Sequence, residues 1–170
     1  MPVPVIFLAF ANDKDAYLSN LKKEADSIYK ALQALHDSGK IEIYKEEQTT
    51  LANIFDAFTR FRDRIVLFHY AGHAQSQQLF LEDTAANANG LAKLIGEQKN
   101  LQLVFLNGCA TQGQVQELLQ RGVKSVLATA VPIQDNKATE FATQFYQSLA
   151  SQASLQQAFN EAVFQIRNPA

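Results

Sequence analysis

One histidine and the only cysteine of this sequence stand in matching positions, each directly after a glycine that follows an apolar run. The third apolar run continues into the letters YAGH, ending at His73, and the fourth continues into LNGC, ending at Cys109. A thiol of ordinary pKa, about 8.5, is mostly protonated at neutral pH, and a neighbouring imidazole raises its reactivity by taking the proton. The pair therefore predicts nucleophilic catalysis by Cys109 with His73 as its base.

The two residues must come together for this chemistry to work. If the two apolar runs are neighbouring strands of a parallel sheet, His73 and Cys109 emerge at the same sheet edge, each three positions beyond its run. Ligands and catalytic groups of parallel sheets gather at that edge. Gly72 and Gly108 let the backbone turn sharply and approach a substrate closely. A helix beginning near Thr111 would favour the thiolate of Cys109 through its dipole.

Short apolar runs alternate with longer helical patterns along the whole chain. The runs are nearly continuous in Val, Ile, Leu and Phe, which is typical of parallel strands buried on both faces. The strand candidates are Val3–Phe10, Ile41–Tyr44, Ile65–Tyr70, Leu101–Leu106 and Ser125–Ala130, with a shorter one at Leu79–Leu81. The helix candidates are Tyr17–Leu35, Leu51–Phe61, Gly90–Gln98, Gln112–Arg121 and Thr139–Ile166, the last interrupted at Ser148–Ser154. This order predicts a doubly wound α/β domain whose mainly parallel sheet has about five to six strands flanked by helices.

Composition excludes several classes of protein. A net charge of −2 and a pI near 5.9, without a Lys/Arg cluster, argue against nucleic acid as a partner. No apolar run approaches the ~18 residues of a membrane helix, and the start MPVPVIFLAF lacks the basic leader of a signal peptide. A single cysteine excludes an internal disulfide and a cysteine-rich zinc site. We therefore expect one cytoplasmic domain over residues 1–170.

Two motifs resemble those of the CHAT family, caspase-like cysteine peptidases of the clan that also holds caspases, metacaspases and separase. The letters FHYAGHA at residues 68–74 are similar to the family's histidine motif, and VFLNGCAT at 104–111 to its cysteine motif. The opening run VIFLAFAN at 5–12 and the segment AVPIQD at 130–135 are similar to further family segments. The resemblance implies a single caspase-like CHAT domain, which could be the proteolytic module of a longer bacterial signalling or defence protein.

The resemblance also implies a role for each residue of the site. Cys109 would attack the scissile carbonyl of a protein or peptide substrate as a thiolate, and His73 would take the proton and then protonate the leaving amine. The backbone N–H groups of Cys109, Ala74 and Gly72 would form the oxyanion hole. Water would then hydrolyse the acyl-enzyme. No metal and no other cofactor is implied, whereas a regulatory domain or partner protein is.

Carboxylates predict the specificity. In this clan, groups from strand ends line the pocket for the residue before the cleaved bond, and here Asp13 follows the first run and Asp135 the fifth. If they line the pocket, a basic Arg or Lys side chain suits it better than Asp, which predicts a basic or unselective preference rather than a caspase-like one. The alternative is that each aspartate caps a neighbouring helix.

Two alternatives to a working peptidase remain open. Many relatives have glycine at the position of Ala74, so the same fold could serve as a catalytically inactive adaptor or interaction domain. A flavodoxin-like or TIR-like module is less well supported, because no motif places Glu24, Glu46 or Glu82 as the catalytic glutamate of a TIR-like enzyme. Nucleotide binding is unsupported as well, because no Gly-rich phosphate motif follows any strand.

The other two histidines are predicted to have no role in catalysis. His69 precedes His73 by four residues, a spacing that aligns side chains on a helix but not across a strand and a turn. We interpret His69 as a core histidine held by a hydrogen bond rather than a metal ligand. His36, near the end of a helical pattern, is predicted to lie at the surface.

Overall fold

A parallel sheet forms the centre of the protein. The computed structural model describes residues 2–12, 19–75, 78–80, 85–108, 111–128 and 134–168. The central strands are β1 (Val5–Ala11), β2 (Glu42–Glu46), β3 (Ile65–Gly72), β7 (Leu103–Asn107) and β8 (Val126–Ala128). They pair in the order β2-β1-β3-β7-β8, all parallel. The chain winds outward from β1 in both directions, which confirms the predicted doubly wound α/β fold.

A smaller antiparallel sheet follows His73. Its strands are β4 (Ala74–Gln75), β5 (Gln78–Phe80) and β6 (Ala85–Asn87), paired in that order. The short strand predicted at Leu79–Leu81 is therefore present as β5, one arm of a three-stranded sheet that begins directly beside the candidate catalytic histidine, and Leu81 lies outside the described residues.

Six helices cover the sheet in the described part of the chain. They are α1 (Leu21–Asp37), α2 (Leu51–Arg60), α3 (Ala88–Gly96), α4 (Val115–Gln120), α5 (Asp135–Ala150) and α6 (Leu155–Arg167). The predicted interruption within Thr139–Ile166 is confirmed, because α5 ends at Ala150 and Ser154 caps α6. Thr50 caps α2 with a capping box, its hydroxyl accepting the Asn53 N–H at 3.2 Å. Each of these helices is too short or too polar to cross a bilayer.

The sheet separates two apolar cores, because successive strand side chains point to opposite faces. Phe68 and Tyr70 of β3 point toward α2, α3 and α4, and Phe7 packs with them. Phe105 of β7 and Leu8 of β1 point toward α1, α5 and α6. Every residue of β1 is buried, as its unbroken apolar sequence predicts.

Two strands that carry the candidate site differ from their predicted bounds at the carboxyl ends. β3 continues two residues past Tyr70, since β1 extends to Ala11 and pairs Ala11 with Gly72. β7 includes Asn107, which pairs with Ala71. His73 therefore follows its strand directly, rather than three positions beyond it. For the predicted last strand, residues 129 and 130 lie outside the described part.

Candidate active site

The strands that precede His73 and Cys109 are immediate neighbours. β3 and β7 pair in parallel, and their last paired residues are Ala71 and Asn107. In the sequence, His73 lies two residues after Ala71, and Cys109 lies two residues after Asn107. The register thus brings both chain segments to the carboxyl edge of the sheet, where parallel-sheet proteins bind ligands. Cys109 itself and Ala110 lie outside the described residues.

The backbone at His73 is held from beneath by Tyr70. The buried Tyr70 hydroxyl donates to the carbonyl oxygen of His73 at 2.5 Å, while the His73 side chain is half-buried. A methyl group at Gly72 would lie 2.6 Å from that hydroxyl and 2.5 Å from the carbonyl oxygen of Ala11. Glycine is therefore required at position 72 because there is no room for a side chain. It is not required for the sharp turn that the sequence suggested, since Gly72 is the last residue of β3.

The side chain of Thr111, two residues after Cys109, contacts the backbone that precedes Cys109. Its hydroxyl is fully buried and lies 3.1 Å from the Leu106 carbonyl oxygen and 3.4 Å from that of Gly108. The residues that follow form a single 3-10 turn, Thr111–Gln114, before α4 begins. The helical start expected near Thr111 is thus present as a 3-10 turn, which contributes fewer aligned dipoles than a long α-helix would.

A buried polar network lies beneath the carboxyl ends of β3 and β7. The carboxylate of Glu24, on α1, accepts a hydrogen bond from Asn107 Nδ2 at 2.7 Å and lies 3.1 Å from His69 Nε2. The other ring nitrogen of His69, Nδ1, lies 2.9 Å from the hydroxyl of Tyr146 on α5. Asn107 Nδ2 also donates to the Ala138 carbonyl oxygen at 3.3 Å. All four side chains of the network are buried.

Burial governs the ionisation of this network. Removal from water raises the pKa of Glu24 above its ordinary value, while the hydrogen bonds from His69 and Asn107 and the charge of His69 act in the opposite direction. Burial also raises the pKa of Tyr146 well above its ordinary value, and the charge of Glu24 adds to the effect. Tyr146 is therefore a neutral hydroxyl at any physiological pH.

A model of the CHAT domain matches residues 3–170, almost the whole chain. The protein is a member of the CHAT domain family. The resemblance carried by the histidine and cysteine motifs is thereby confirmed, and CHAT domains are related to caspase-like cysteine peptidases. No curated protein sequence matches the chain significantly.

The alanine that replaces glycine in this CHAT domain fits its backbone. Ala74 is the first residue of β4 and pairs with Leu79. Strand backbone is a conformation that alanine adopts without strain. Alanine in place of glycine at position 74, the observation on which the inactive-adaptor alternative was based, therefore does not distort the backbone after His73.

Of the two aspartates proposed to determine specificity, the structure of this CHAT domain describes only Asp135. Asp13 lies outside the described residues. Asp135 is the first residue of α5 and half-buried, and its Oδ2 accepts the backbone N–H of Asn20 at 3.1 Å. Asn20 precedes the first residue of α1, so this carboxylate caps α1 and not the helix on which it lies.

His69 is confirmed as a core histidine of the CHAT domain. Its ring is fully buried between Glu24 and Tyr146 and within hydrogen-bond distance of both. His36 is half-buried near the end of α1, with Nδ1 3.3 Å from the Ile41 carbonyl oxygen.

Sequence reasoning missed the polar partners of His69. Glu24 carries a detectable signal, since it lies three residues after Leu21 and four before Ile28, on the apolar stripe of α1. Asn107 carries another, because it is an amide that ends an otherwise apolar strand. Tyr146 carries none, since a tyrosine among phenylalanines is ordinary in a core.

Proposed function

We propose that this CHAT domain is a cysteine endopeptidase that uses His73 and Cys109 as a catalytic dyad. One observation carries the proposal: neighbouring parallel strands pair Ala71 with Asn107, and each of these residues precedes one member of the dyad by two positions. Membership of a family related to cysteine peptidases supports the same reaction.

The reaction follows the chemistry of an activated thiol. His73 takes the proton of Cys109, and the thiolate attacks the scissile carbonyl to form a tetrahedral oxyanion. The N–H groups of Cys109, Ala74 and Gly72 would stabilise that charge. Collapse breaks the C–N bond, and the imidazolium of His73 protonates the leaving amine. Water, deprotonated by His73, then attacks the thioester and releases the acid product and the free thiol.

The decisive experiment measures how His73 affects the thiol of Cys109. We expect a peptide electrophile to label Cys109 rapidly near neutral pH in the parent protein, and to label it slowly in His73→Ala. His36→Ala is the matched control, because it removes an imidazole that contacts Ile41 and Tyr29 rather than the dyad, and it should label like the parent. Equal labelling in the parent and in His73→Ala would contradict the dyad and favour the inactive adaptor.

We also propose that Asp135, with Asp13, favours a basic residue before the cleaved bond. Asp135→Asn tests this more sharply than alanine does, because an asparagine oxygen can still accept the Asn20 N–H while the negative charge is lost. We expect cleavage of Arg-containing peptides to slow relative to that of Leu-containing peptides. An unchanged ratio would leave Asp135 with its capping role alone.

The wider setting belongs to the same proposal. The chain acts as one domain over residues 1–170, in the cytoplasm, as a module of a longer bacterial protein whose regulatory domain or partner protein controls access to the site. A change in the rate of Cys109 labelling when a neighbouring module is covalently linked is the result expected of such control.

A further inference from the structure

Glu24 connects the two strands that precede the dyad. Its Oε1 accepts from Asn107 Nδ2 on β7 at 2.7 Å, and its Oε2 lies 3.1 Å from His69 Nε2 on β3. His69 lies four residues before His73, and Asn107 lies two residues before Cys109. One carboxylate, 2% exposed, thus holds both strands near the ends from which the catalytic residues emerge.

We propose that Glu24 is a positioning residue for the peptidase reaction: it fixes the ends of β3 and β7 relative to each other, so that His73 and Cys109 meet within hydrogen-bond reach. The inference rests on the proposed His73–Cys109 dyad. It assigns to Glu24 no contact with the substrate and no step in proton transfer.

The geometry of Asn107 supports an anchoring role. Its amide nitrogen has two protons, and it donates to two acceptors, Glu24 Oε1 and the carbonyl oxygen of Ala138 at 3.3 Å. These contacts fix the orientation of the amide and tie the last residue of β7 to both α1 and α5. A strand end with such anchors has little freedom to shift when the following segment binds a substrate.

The polar character of the network needs an explanation beyond stability. Its neighbours are apolar, with the ring of Phe105 centred 4.6 Å from that of His69, and Leu21 and Ala25 beside Glu24 on α1. Replacing buried ionisable groups with well-packed apolar side chains is often neutral or stabilising. Hydrogen bonds impose a direction and a distance that apolar contacts do not, and a dyad depends on both.

Two substitutions at Glu24 distinguish the effect of its hydrogen bonds to Asn107 and His69 from the effect of its negative charge. Glu24→Gln keeps both links: its oxygen accepts from Asn107 and its amide donates to His69 Nε2, provided that the histidine carries its proton on Nδ1 and donates to Tyr146. Glu24→Leu has a similar volume and breaks both links. If positioning is the role, glutamine should preserve the dyad and leucine should disrupt it.

The test measures the rate at which iodoacetamide alkylates Cys109 from about pH 5 to pH 9, the range in which protein thiols ionise. The proteins are the parent, His73→Ala, Glu24→Gln and Glu24→Leu, each confirmed as folded by circular dichroism. We expect Glu24→Leu to lose at least about tenfold in rate near neutral pH and to take the pH profile of His73→Ala. Glu24→Gln should keep the parent profile.

Controls separate positioning from a general loss of stability. Ser148→Ala removes a hydrogen bond from the buried Ser148 hydroxyl to the exposed Glu161 at the contact between α5 and α6, and it should destabilise the fold without changing the labelling profile. If Glu24→Leu does not fold, Asn107→Ala provides the same test from the other end of the link, and it should also take the His73→Ala profile.

The outcomes distinguish this inference from the proposed function. If the parent and His73→Ala differ while folded Glu24→Leu labels like the parent, the positioning role is wrong and the dyad stands. If Glu24→Gln loses the profile together with Glu24→Leu, the charge matters and the links do not, which also overturns the inference. Identical profiles in the parent and His73→Ala overturn the dyad and, with it, the role of Glu24.

Discussion

Next to His73, Gly72 occupies a position where no side chain fits. In Gly72→Ala, the new methyl group would lie 2.5 Å from the Ala11 carbonyl oxygen and 2.6 Å from the Tyr70 hydroxyl, so backbone or ring must move. Overpacking of this kind costs about 1–3 kcal/mol in the free energy of unfolding. Because Tyr70 also holds the His73 carbonyl, the rate of Cys109 labelling should fall as well. Urea denaturation and labelling measure the two effects.

Gly90→Ala is the matched control for that substitution. Gly90 lies in α3, and among the described residues a methyl group there would meet no atom of another part of the chain within 4 Å. Since alanine is the better helix former, we expect a gain in the free energy of unfolding of up to about 1 kcal/mol and unchanged labelling. A loss equal to that of Gly72→Ala would show that the crowding at Gly72 is not the cause.

Glu24 gives the fold a dependence on pH. Burial raises the pKa of Glu24 in the folded protein above 4.5, its ordinary value. At a pH between the ordinary pKa and the raised pKa, the folded protein binds more protons at this group than the unfolded chain does. The free energy of unfolding therefore decreases as pH rises through that window. We expect the stability of the parent, relative to Glu24→Gln, to fall as pH rises from 4.5, measured by urea denaturation at several pH values. An opposite trend would mean that the hydrogen bonds to Glu24 outweigh its burial.

At the scale of elements, the turn between β7 and α4 depends on one hydroxyl. Thr111→Val keeps the shape of the side chain but removes the hydrogen bonds to the Leu106 and Gly108 carbonyl oxygens. We expect a loss of about 1 kcal/mol in the free energy of unfolding and slower labelling of Cys109, which precedes Thr111 by two residues in the sequence. Thr143→Val is the control, because its hydroxyl donates to the Thr139 carbonyl oxygen within α5. Equal labelling in both variants would remove Thr111 from the positioning of the thiol.

The elements of this fold were largely predictable, whereas their ends and polar contacts were not. Nearly continuous runs of Val, Ile, Leu and Phe identify β1 and β3 because parallel strands bury both faces. The extension of β3 to Gly72 depends on pairing with Ala11, a contact between residues 61 positions apart that no local pattern records. The link between Glu24 and Asn107 spans 83 positions and depends on how α1 packs on the sheet.

The site was predictable only as far as its chain positions. The matching glycine-histidine and glycine-cysteine segments indicated one sheet edge, and the pairing of Ala71 with Asn107 agrees with that expectation. The cap that Asp135 forms on α1 was not predictable, because the carboxylate reaches the start of a helix more than one hundred residues away. Helix caps are recognisable in sequence only when the capping residue is local.

At the scale of the whole molecule, the two cores are parts of one cooperative unit. Both are built on the same strands, since β1, β3 and β7 each send side chains to both faces of the sheet. If the helices left one face, the exposed strands would lose the packing that also stabilises the core on the other face. We therefore expect tyrosine fluorescence and far-ultraviolet circular dichroism to report a single coincident urea transition. Two separate transitions would contradict the single domain proposed for residues 1–170.

The two cores should nevertheless differ in their effect on the site. Phe68→Leu removes a buried ring that packs against Phe7 and Phe58, and Phe105→Leu removes one that packs against His69. Each should cost about 1–3 kcal/mol in the free energy of unfolding, because both rings are buried and tightly packed. Only Phe105→Leu should slow the labelling of Cys109, since it alone loosens the wall of the buried network that joins β3 to β7. If both variants slow labelling in proportion to their loss of stability, the dyad depends on the general rigidity of the sheet rather than on the face that carries Glu24.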